Sequence, residues 1–94
     1  MEIDDFQGLV EKIYLDRDRA RGIPRNYMRF VEEVGELSEA LFHDDRDNLP
    51  GEFADVFAWL SSLASLSGIR LEDVISKYRE GCPSCQAIPC SCKE

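Results

Sequence analysis

Apolar residues recur along the chain at steps of three and four, the spacing that places side chains on one face of an α-helix. The clearest such stripe consists of Tyr27, Phe30, Val34, Leu37 and Leu41. Pro24 suits the first turn of this helix, and the turn-forming run HDDRDNLPG predicts its end near Asp44. No stretch alternates with period two, so the sequence predicts no strand.

Three further helices follow from the same spacing. The first spans about residues 5–21, with Asp4 as its N-cap, Gln7 in the matching capping-box position and Gly22 as its stop. The third spans about residues 50–67 and the fourth about residues 70–80. Because short connections favour antiparallel neighbours, we expect an all-α antiparallel bundle of about four helices. Residues 1–80 would form this helical domain, and residues 81–94 a short cysteine-rich tail.

Size and charge limit what such a chain does. A domain of 94 residues buries a modest fraction of its surface when it folds alone, so we expect oligomerisation, a metal ion or both to complete it. The formal net charge of −8 disfavours binding to a nucleic-acid backbone. No apolar run reaches membrane-spanning length, and the start MEIDDFQGLV lacks a secretory pattern, so we expect a cytoplasmic protein with no membrane partner.

Two pairs of acidic residues lie on consecutive predicted helices. Glu33 and Glu36 are three residues apart on the second helix, and Glu52 and Asp55 have the same spacing on the third. Residues three apart project from neighbouring positions of one helix surface. At a rise of about 1.5 Å per residue, Glu36 lies about 12 Å before the turn and Asp55 about 9 Å after it. In an antiparallel hairpin the two pairs are therefore nearly level.

Glu52 falls on the flank of the apolar face of its helix, where an unpaired carboxylate is costly to bury. A hard divalent cation would offset that cost, since Mg²⁺ prefers carboxylates together with waters and substrate phosphates. The alternative is that the acids form a solvated helix face, as charge runs in acidic proteins usually do. The residues alone support the two interpretations about equally.

The blocks VEEVGELSEAL and GEFADVFAWL resemble the ExxE and ExxD signature of MazG-type nucleoside triphosphate pyrophosphohydrolases. The resemblance covers about residues 30–66 and extends weakly over the fourth helix. It implies a helical homodimer or homotetramer that hydrolyses NTPs or dNTPs to the monophosphate and pyrophosphate with Mg²⁺, as in housecleaning of the nucleotide pool. By position, the family's metal ligands and catalytic residues correspond to Glu33, Glu36, Glu52 and Asp55.

A polyphosphate substrate also needs fixed cations. By analogy with the family's basic residue after the ExxD helix, Lys77 and Arg79 are candidates for binding substrate, and Arg29 just ahead of the ExxE block is another. The alternative for Lys77 and Arg79, exposed basic residues on a terminal helix, is about as well supported. For Tyr14 and Trp59 we expect core packing rather than stacking on a base.

All four cysteines lie in the tail, as a CxxC pair and a CxC pair: Cys82, Cys85, Cys90 and Cys92. Four thiolates suffice for a closed tetrahedral zinc site, which would be structural because it leaves no open position for substrate. The CxC spacing departs from the usual two CxxC pairs. A site shared across a dimer, an iron–sulfur cluster, free thiols and disulfides therefore stay open as alternatives.

A non-enzymatic function is the main alternative: a helical homodimer whose tail forms a zinc knuckle that recruits another protein, with the acids serving solubility only. It explains the tail but leaves Glu52 unexplained. A carboxylate-bridged di-iron bundle would need ExxH pairs, and the single histidine, His43, is not at such a spacing.

Overall fold

Three long helices make up most of the protein, whose computed structural model describes all residues from 1 to 94. In chain order, α1 spans Ile3–Arg21, α2 spans Ile23–Phe42 and α3 spans Leu49–Leu66. A short helix, α4, covers Leu71–Val74 and continues directly into a 3₁₀ turn at Ile75–Tyr78. No strand is present, so the all-α class predicted from the apolar spacing is confirmed.

The hairpin of α2 and α3 is the most extensive packing in the molecule, and α1 packs mainly on α3. Residues 43–48 form the turn of the hairpin, which Asp45 closes from both sides. The Asp45 backbone N–H donates to the Ala40 carbonyl at 2.9 Å, and the Asp45 carboxylate accepts a hydrogen bond from the Asn48 side-chain amide at 2.8 Å. This short, doubly bonded turn holds the two helices antiparallel.

A single residue, Gly22, separates α1 from α2. Its φ of +85° lies in the region that side chains disfavour. Asn26 is fully buried beneath this corner, and its side-chain amide donates to the carbonyls of Asp18 at 2.8 Å and Gly22 at 2.7 Å. Arg21 completes the corner by donating to the Asn26 side-chain oxygen at 2.9 Å. The angle between the first two helices is therefore fixed by hydrogen bonds as well as by packing.

The start of α1 differs from the sequence prediction. Glu2, not Asp4, is the N-cap, and its backbone N–H donates to the Asp5 carboxylate at 3.1 Å in a capping box. Gln7 has no capping role and is fully buried. Its amide donates to the Ser65 hydroxyl at 3.0 Å and the Ile69 carbonyl at 2.9 Å, and its oxygen accepts from the Leu71 backbone N–H at 2.9 Å. Gln7 thus ties α1 to the end of α3 and the start of α4.

The fourth helix is also shorter than predicted, because the α-helical hydrogen bonding stops at Val74 and a 3₁₀ turn replaces it. No residue of this segment is buried, and Val74, Ile75 and Tyr78 are exposed. Short helices take most of their stability from packing an apolar face. In this segment such packing is limited to its start, where α4 contacts α1 and Leu71 is half-buried.

Few apolar residues are buried within one chain: Val10, Ala40, Leu49 and Ala64. Much of the remaining interior is polar, and larger apolar side chains on α2 and α3 stay partly exposed, among them Tyr27, Val31, Val34, Phe53, Phe57 and Leu60. Completion of the fold by oligomerisation stays a prediction, which this exposed face favours. None of the helices combines the length and apolar character needed to cross a bilayer.

Candidate functional site

The hairpin brings three of the predicted metal ligands together. Carboxylate oxygens of Glu33, Glu36 and Glu52 lie within 4.8 Å of one another. Glu33 and Glu36 come from consecutive turns of α2, and Glu52 from the first turn of α3. The short turn between the helices places Glu33 and Glu36 at the same height along the hairpin as Glu52, as the helical rise predicted.

Two oxygens of this group are buried without a hydrogen-bond partner: Oε2 of Glu33 and Oε2 of Glu52. Burial away from water raises the pKa of both carboxyls, and the charge of Glu36 raises each pKa further. Unpaired buried carboxylates are costly, and a cation is the partner that this arrangement lacks. Because all the donors are carboxylate oxygens, the residues fit a hard divalent ion such as Mg²⁺.

Asp55 lies beside this group and not inside it, since its oxygens are not among those within 4.8 Å. It is near enough that its negative charge raises the pKa of both Glu33 and Glu52. Asp55 instead lines a neighbouring cleft together with Arg29 and Trp59. The structure therefore brings together three of the four predicted acids and places the fourth in the lining of the next cleft.

That neighbouring cleft has a volume of about 270 Å³ and lies between α1 and the hairpin. The guanidinium carbon of Arg21 lies 5.1 Å from the centroid of the Trp59 ring, and that of Arg29 lies 5.6 Å from it. At these distances each guanidinium is attracted to the face of the Trp59 ring by a cation–π interaction. Trp59 and Tyr14 line this cleft, so neither is the core residue that the sequence predicted. Trp59 serves as a platform for two arginines.

Sequence analysis missed two arginines of the cleft, Arg17 and Arg21. Their four-residue spacing places them on one face of α1, which indicates a basic surface. Nothing in the spacing shows that this surface meets α3 next to Asp55. Only the packing of α1 across the hairpin brings these cations near the acids.

A second cleft, of about 340 Å³, borders the carboxylates on the side of the hairpin turn. Its lining is acidic and includes Glu36, Glu39, Asp45 and Glu52, with His43 as its one basic side chain. An anionic substrate would be repelled here unless cations accompany it. The arginine-lined cleft is therefore the more favourable location for phosphate groups.

Lys77 and Arg79 lie at the end of the 3₁₀ turn and just after it. Both are exposed, neither forms an ion pair, and neither lines one of the clefts. Their role in binding substrate stays a prediction. Arg29, the third residue of that prediction, lines the cleft beside Asp55.

The tail brings its four cysteine sulfurs to within 4.8 Å of one another. Hydrogen bonds from Ser91 lower the pKa of Cys85 to about 5. The pKa of Cys92 is raised to about 11 by its hydrogen bonds to Cys90 and the other two thiols. The four thiols thus form one interacting group with a shared proton balance.

A family model, the MazG nucleotide pyrophosphohydrolase domain, matches residues 24–85. The matched region is more than half of the chain and contains α3, nearly all of α2 and both acidic pairs. It ends at Cys85, before the CxC pair. No curated protein matches the chain significantly. The match covers most of the chain and includes the close group of Glu33, Glu36 and Glu52, and the chain belongs to the MazG nucleotide pyrophosphohydrolase family.

Proposed function

We propose that the protein hydrolyses nucleoside triphosphates, either NTPs or dNTPs, to the nucleoside monophosphate and pyrophosphate, with Mg²⁺ as cofactor. The observation that carries this proposal concerns the group of three carboxylates. Within it, one buried oxygen of Glu33 and one of Glu52 have no hydrogen-bond partner. Membership of a family of nucleotide pyrophosphohydrolases supports the reaction class. Housecleaning of the nucleotide pool is the role that this reaction suits.

In this proposal Glu33, Glu36 and Glu52 hold Mg²⁺, and Asp55 is the fourth acidic ligand at the edge of the site. Bound Mg²⁺ supplies charge neutralisation at the phosphate oxygens and activation of water. The half-buried position of Glu33 and Glu52 excludes part of the solvent, which strengthens every charge interaction nearby. The reaction needs no covalent intermediate on the protein.

Arg29 and Arg21 would bind and orient the phosphate groups, because they lie in the cleft that Asp55 also lines. A guanidinium offers a planar fork of donors that matches phosphate oxygens, and stacking on Trp59 limits its freedom before substrate arrives. Lys77 and Arg79 remain candidates for contacts farther along the substrate.

We assign the reaction to residues 1–80 and treat residues 81–94 as a separate tail. We also propose a cytoplasmic location, where reducing conditions keep the four cysteines from forming disulfides. Assembly as a homodimer or homotetramer would cover the exposed apolar face of the hairpin.

The test is to incubate the protein with Mg²⁺ and a panel of NTPs and dNTPs and to measure release of monophosphate and pyrophosphate. Loss of a ligand that supplies several kcal/mol should lower kcat/KM of Glu52→Gln by about 100-fold or more. Glu72→Gln, an exposed acid on α4, is the matched control and should retain full activity.

Equal turnover by wild type and Glu52→Gln would show that the activity comes from elsewhere. No turnover on any nucleotide, together with no binding of Mg²⁺, would instead favour the helical adaptor with a zinc-binding tail.

A further inference from the structure

We propose that Cys82, Cys85, Cys90 and Cys92 of a single chain bind one Zn²⁺ as a closed structural site. The four sulfurs lie outside the carboxylate site and none of them lines a cleft. The proposal is therefore independent of the hydrolase function and is tested apart from it.

The sulfur separations are compatible with a tetrahedron around one ion, since all four sulfurs lie within 4.8 Å of one another. Cys82 Sγ lies 3.7 Å from Cys92 Sγ and 3.6 Å from Cys90 Sγ, and Cys85 Sγ lies 4.0 Å from Cys90 Sγ. A Zn–S distance of about 2.3 Å places the corners of a tetrahedron about 3.8 Å apart. One ion at the centre would thus reach all four sulfurs with small shifts of the side chains.

Backbone hydrogen bonds build the loop that presents these sulfurs. The Gln86 N–H donates to the Cys82 carbonyl at 2.6 Å, and the Cys82 N–H donates to the Ala87 carbonyl at 3.1 Å, which closes the chain after the CxxC pair. Two more N–H groups donate to sulfur at 3.3 Å, from Ser91 to Cys85 and from Cys92 to Cys90. Donors aimed at sulfur stabilise the thiolate form, which is the form that binds a metal.

Gly81 fixes how the second half of the tail returns to the first. Its φ is +108°, and a Cβ at this position would lie 2.8 Å from Ile88 Cγ1 and 3.0 Å from the Ala87 carbonyl oxygen. Only a glycine accommodates both the conformation and the contact. Because residues 87 and 88 pack here, the CxC pair that follows is brought back to the CxxC pair of the same chain. This contact favours a site within one chain over a site shared by two.

Four thiolates in a tetrahedron are typical of zinc among the common cellular metals. In an iron–sulfur cluster the thiolates bind different irons and lie farther apart than around a single ion. The tail needs such an ion, since none of its residues is buried and it has no apolar core of its own. Zinc would supply the free energy that orders residues 81–92.

The experiment measures zinc per chain in protein purified without chelators. We expect one zinc per chain in the wild type, a loss of nearly all zinc in Cys85→Ser and in Cys90→Ser, and full retention in the control Ser84→Ala. Replacement by Co²⁺ should give the visible and near-ultraviolet absorption of a tetrahedral four-thiolate site. Circular dichroism of each variant checks that α1 to α3 remain folded.

Gly81→Ala gives a second test that leaves all four ligands in place. It should lower zinc affinity at least tenfold in a chelator competition, because the return of the chain is displaced. Zinc content that is unchanged in the cysteine variants would overturn the proposal. So would disulfides in freshly reduced protein, iron in place of zinc, or one zinc for every two chains. Mg²⁺-dependent hydrolysis is measured on the same samples, so a failure of either idea is seen separately.

Discussion

At the scale of single residues, Glu52 combines burial with lack of a partner. Its pKa is raised by burial and by the charge of Glu36, so the folded protein holds the proton of Glu52 more tightly than the unfolded chain does. This contribution to stability is fully present below the unfolded pKa and is lost as the pH rises through the folded pKa. Without metal, the charged form of Glu52 therefore destabilises the fold at neutral pH.

Glu52→Gln removes this charge, and we expect the variant to be more stable than the wild type at pH 7 in the absence of divalent ions. The advantage should shrink as the pH is lowered through the raised pKa, because the wild-type carboxyl then becomes neutral as well. Thermal or denaturant unfolding of both proteins across this pH range measures the effect.

Addition of Mg²⁺ should reverse the order of stability. An ion at 100 times its Kd stabilises the wild type by about 2.7 kcal/mol, whereas the variant with a damaged site gains little. A wild type more stable than Glu52→Gln without metal, or an equal response of both to Mg²⁺, would contradict the prediction.

The sequence predicted the position of Glu52 well and that of Asp55 less well, for one geometric reason. The apolar flank of a helix can be read from the residue spacing, and it indicated that the carboxylate of Glu52 would be partly buried. A spacing of three residues, however, rotates the second side chain by about 60° from the first. On α2 the same rotation leaves both Glu33 and Glu36 in the close group, whereas on α3 it turns Asp55 towards the arginine-lined cleft. Which outcome follows depends on how each helix faces its neighbours, and the spacing does not reveal that.

At the scale of helices, Gln7 is the residue that joins three elements. Gln7→Leu would keep the volume but leave the Ile69 carbonyl and the Leu71 N–H without partners. A buried group left unsatisfied costs about 1–3 kcal/mol, so two such groups predict a loss of about 2–6 kcal/mol in the free energy of unfolding, towards the lower end because both bonds are part-buried. Urea denaturation measures this loss, and Lys12→Leu on the exposed side of α1 is the control. A loss below that of the control would show that water replaces these bonds.

Sequence analysis placed Gln7 in a helix cap because a cap and a long-range contact use the same side-chain chemistry. The partners of Gln7 are 58 or more residues away along the chain, and no local pattern identifies them. The fourth helix shows the same limit. Its apolar spacing predicts a helix, but only its first four residues are α-helical and contact α1, and the residues that follow are exposed.

The cleft between α1 and the hairpin gives a prediction about substrate binding, which rests on the proposed function. Arg29→Ala removes a charged donor worth about 1.5–3 kcal/mol, so kcat/KM should fall by about 10- to 100-fold. We expect most of the change in KM if Arg29 binds the phosphates equally throughout the reaction. Steady-state kinetics on the preferred nucleotide measure both constants.

Arg19→Ala, an exposed arginine on α1 outside the cleft, is the matched control and should be neutral. An unchanged kcat/KM in Arg29→Ala would remove Arg29 from the substrate site and leave Lys77 and Arg79 as the candidates.

For the assembled protein, we expect a second copy of the chain to cover the exposed apolar face of the hairpin. Val31 and Val34 on α2, and Phe53 and Phe57 on α3, are each more than a third exposed. We expect a dimer or tetramer at micromolar concentration by light scattering. A charge within this face, as in Val31→Glu, should shift the protein towards monomers, whereas Arg46→Glu on the hairpin turn should not. A monomeric wild type would contradict this prediction.

The all-α fold class follows from helical periodicity, and the similar height of the two acidic pairs along the hairpin follows from helical rise. Periodicity and rise are local regularities, so the sequence reveals them. The polar interior does not follow from them. Asn26, Ser61 and Ser62 are buried although nothing in their spacing separates them from surface residues. Their burial depends on how helices cross, which is a property of the assembled chain.

The conformation of Gly22 affects the distance between the positive and negative side chains of the two clefts. This one-residue corner sets how far the arginines of α1 stand from the carboxylates of the hairpin, since α1 has no other covalent link to them. Arg21 lies directly before it, on the same rigid joint. The backbone conformation of Gly22, with ψ of 163°, is accessible almost only to glycine. Any other residue at this position would change the angle between α1 and α2. The distance between the arginines of α1 and the carboxylates of the hairpin thus depends on the one amino acid that has no side chain.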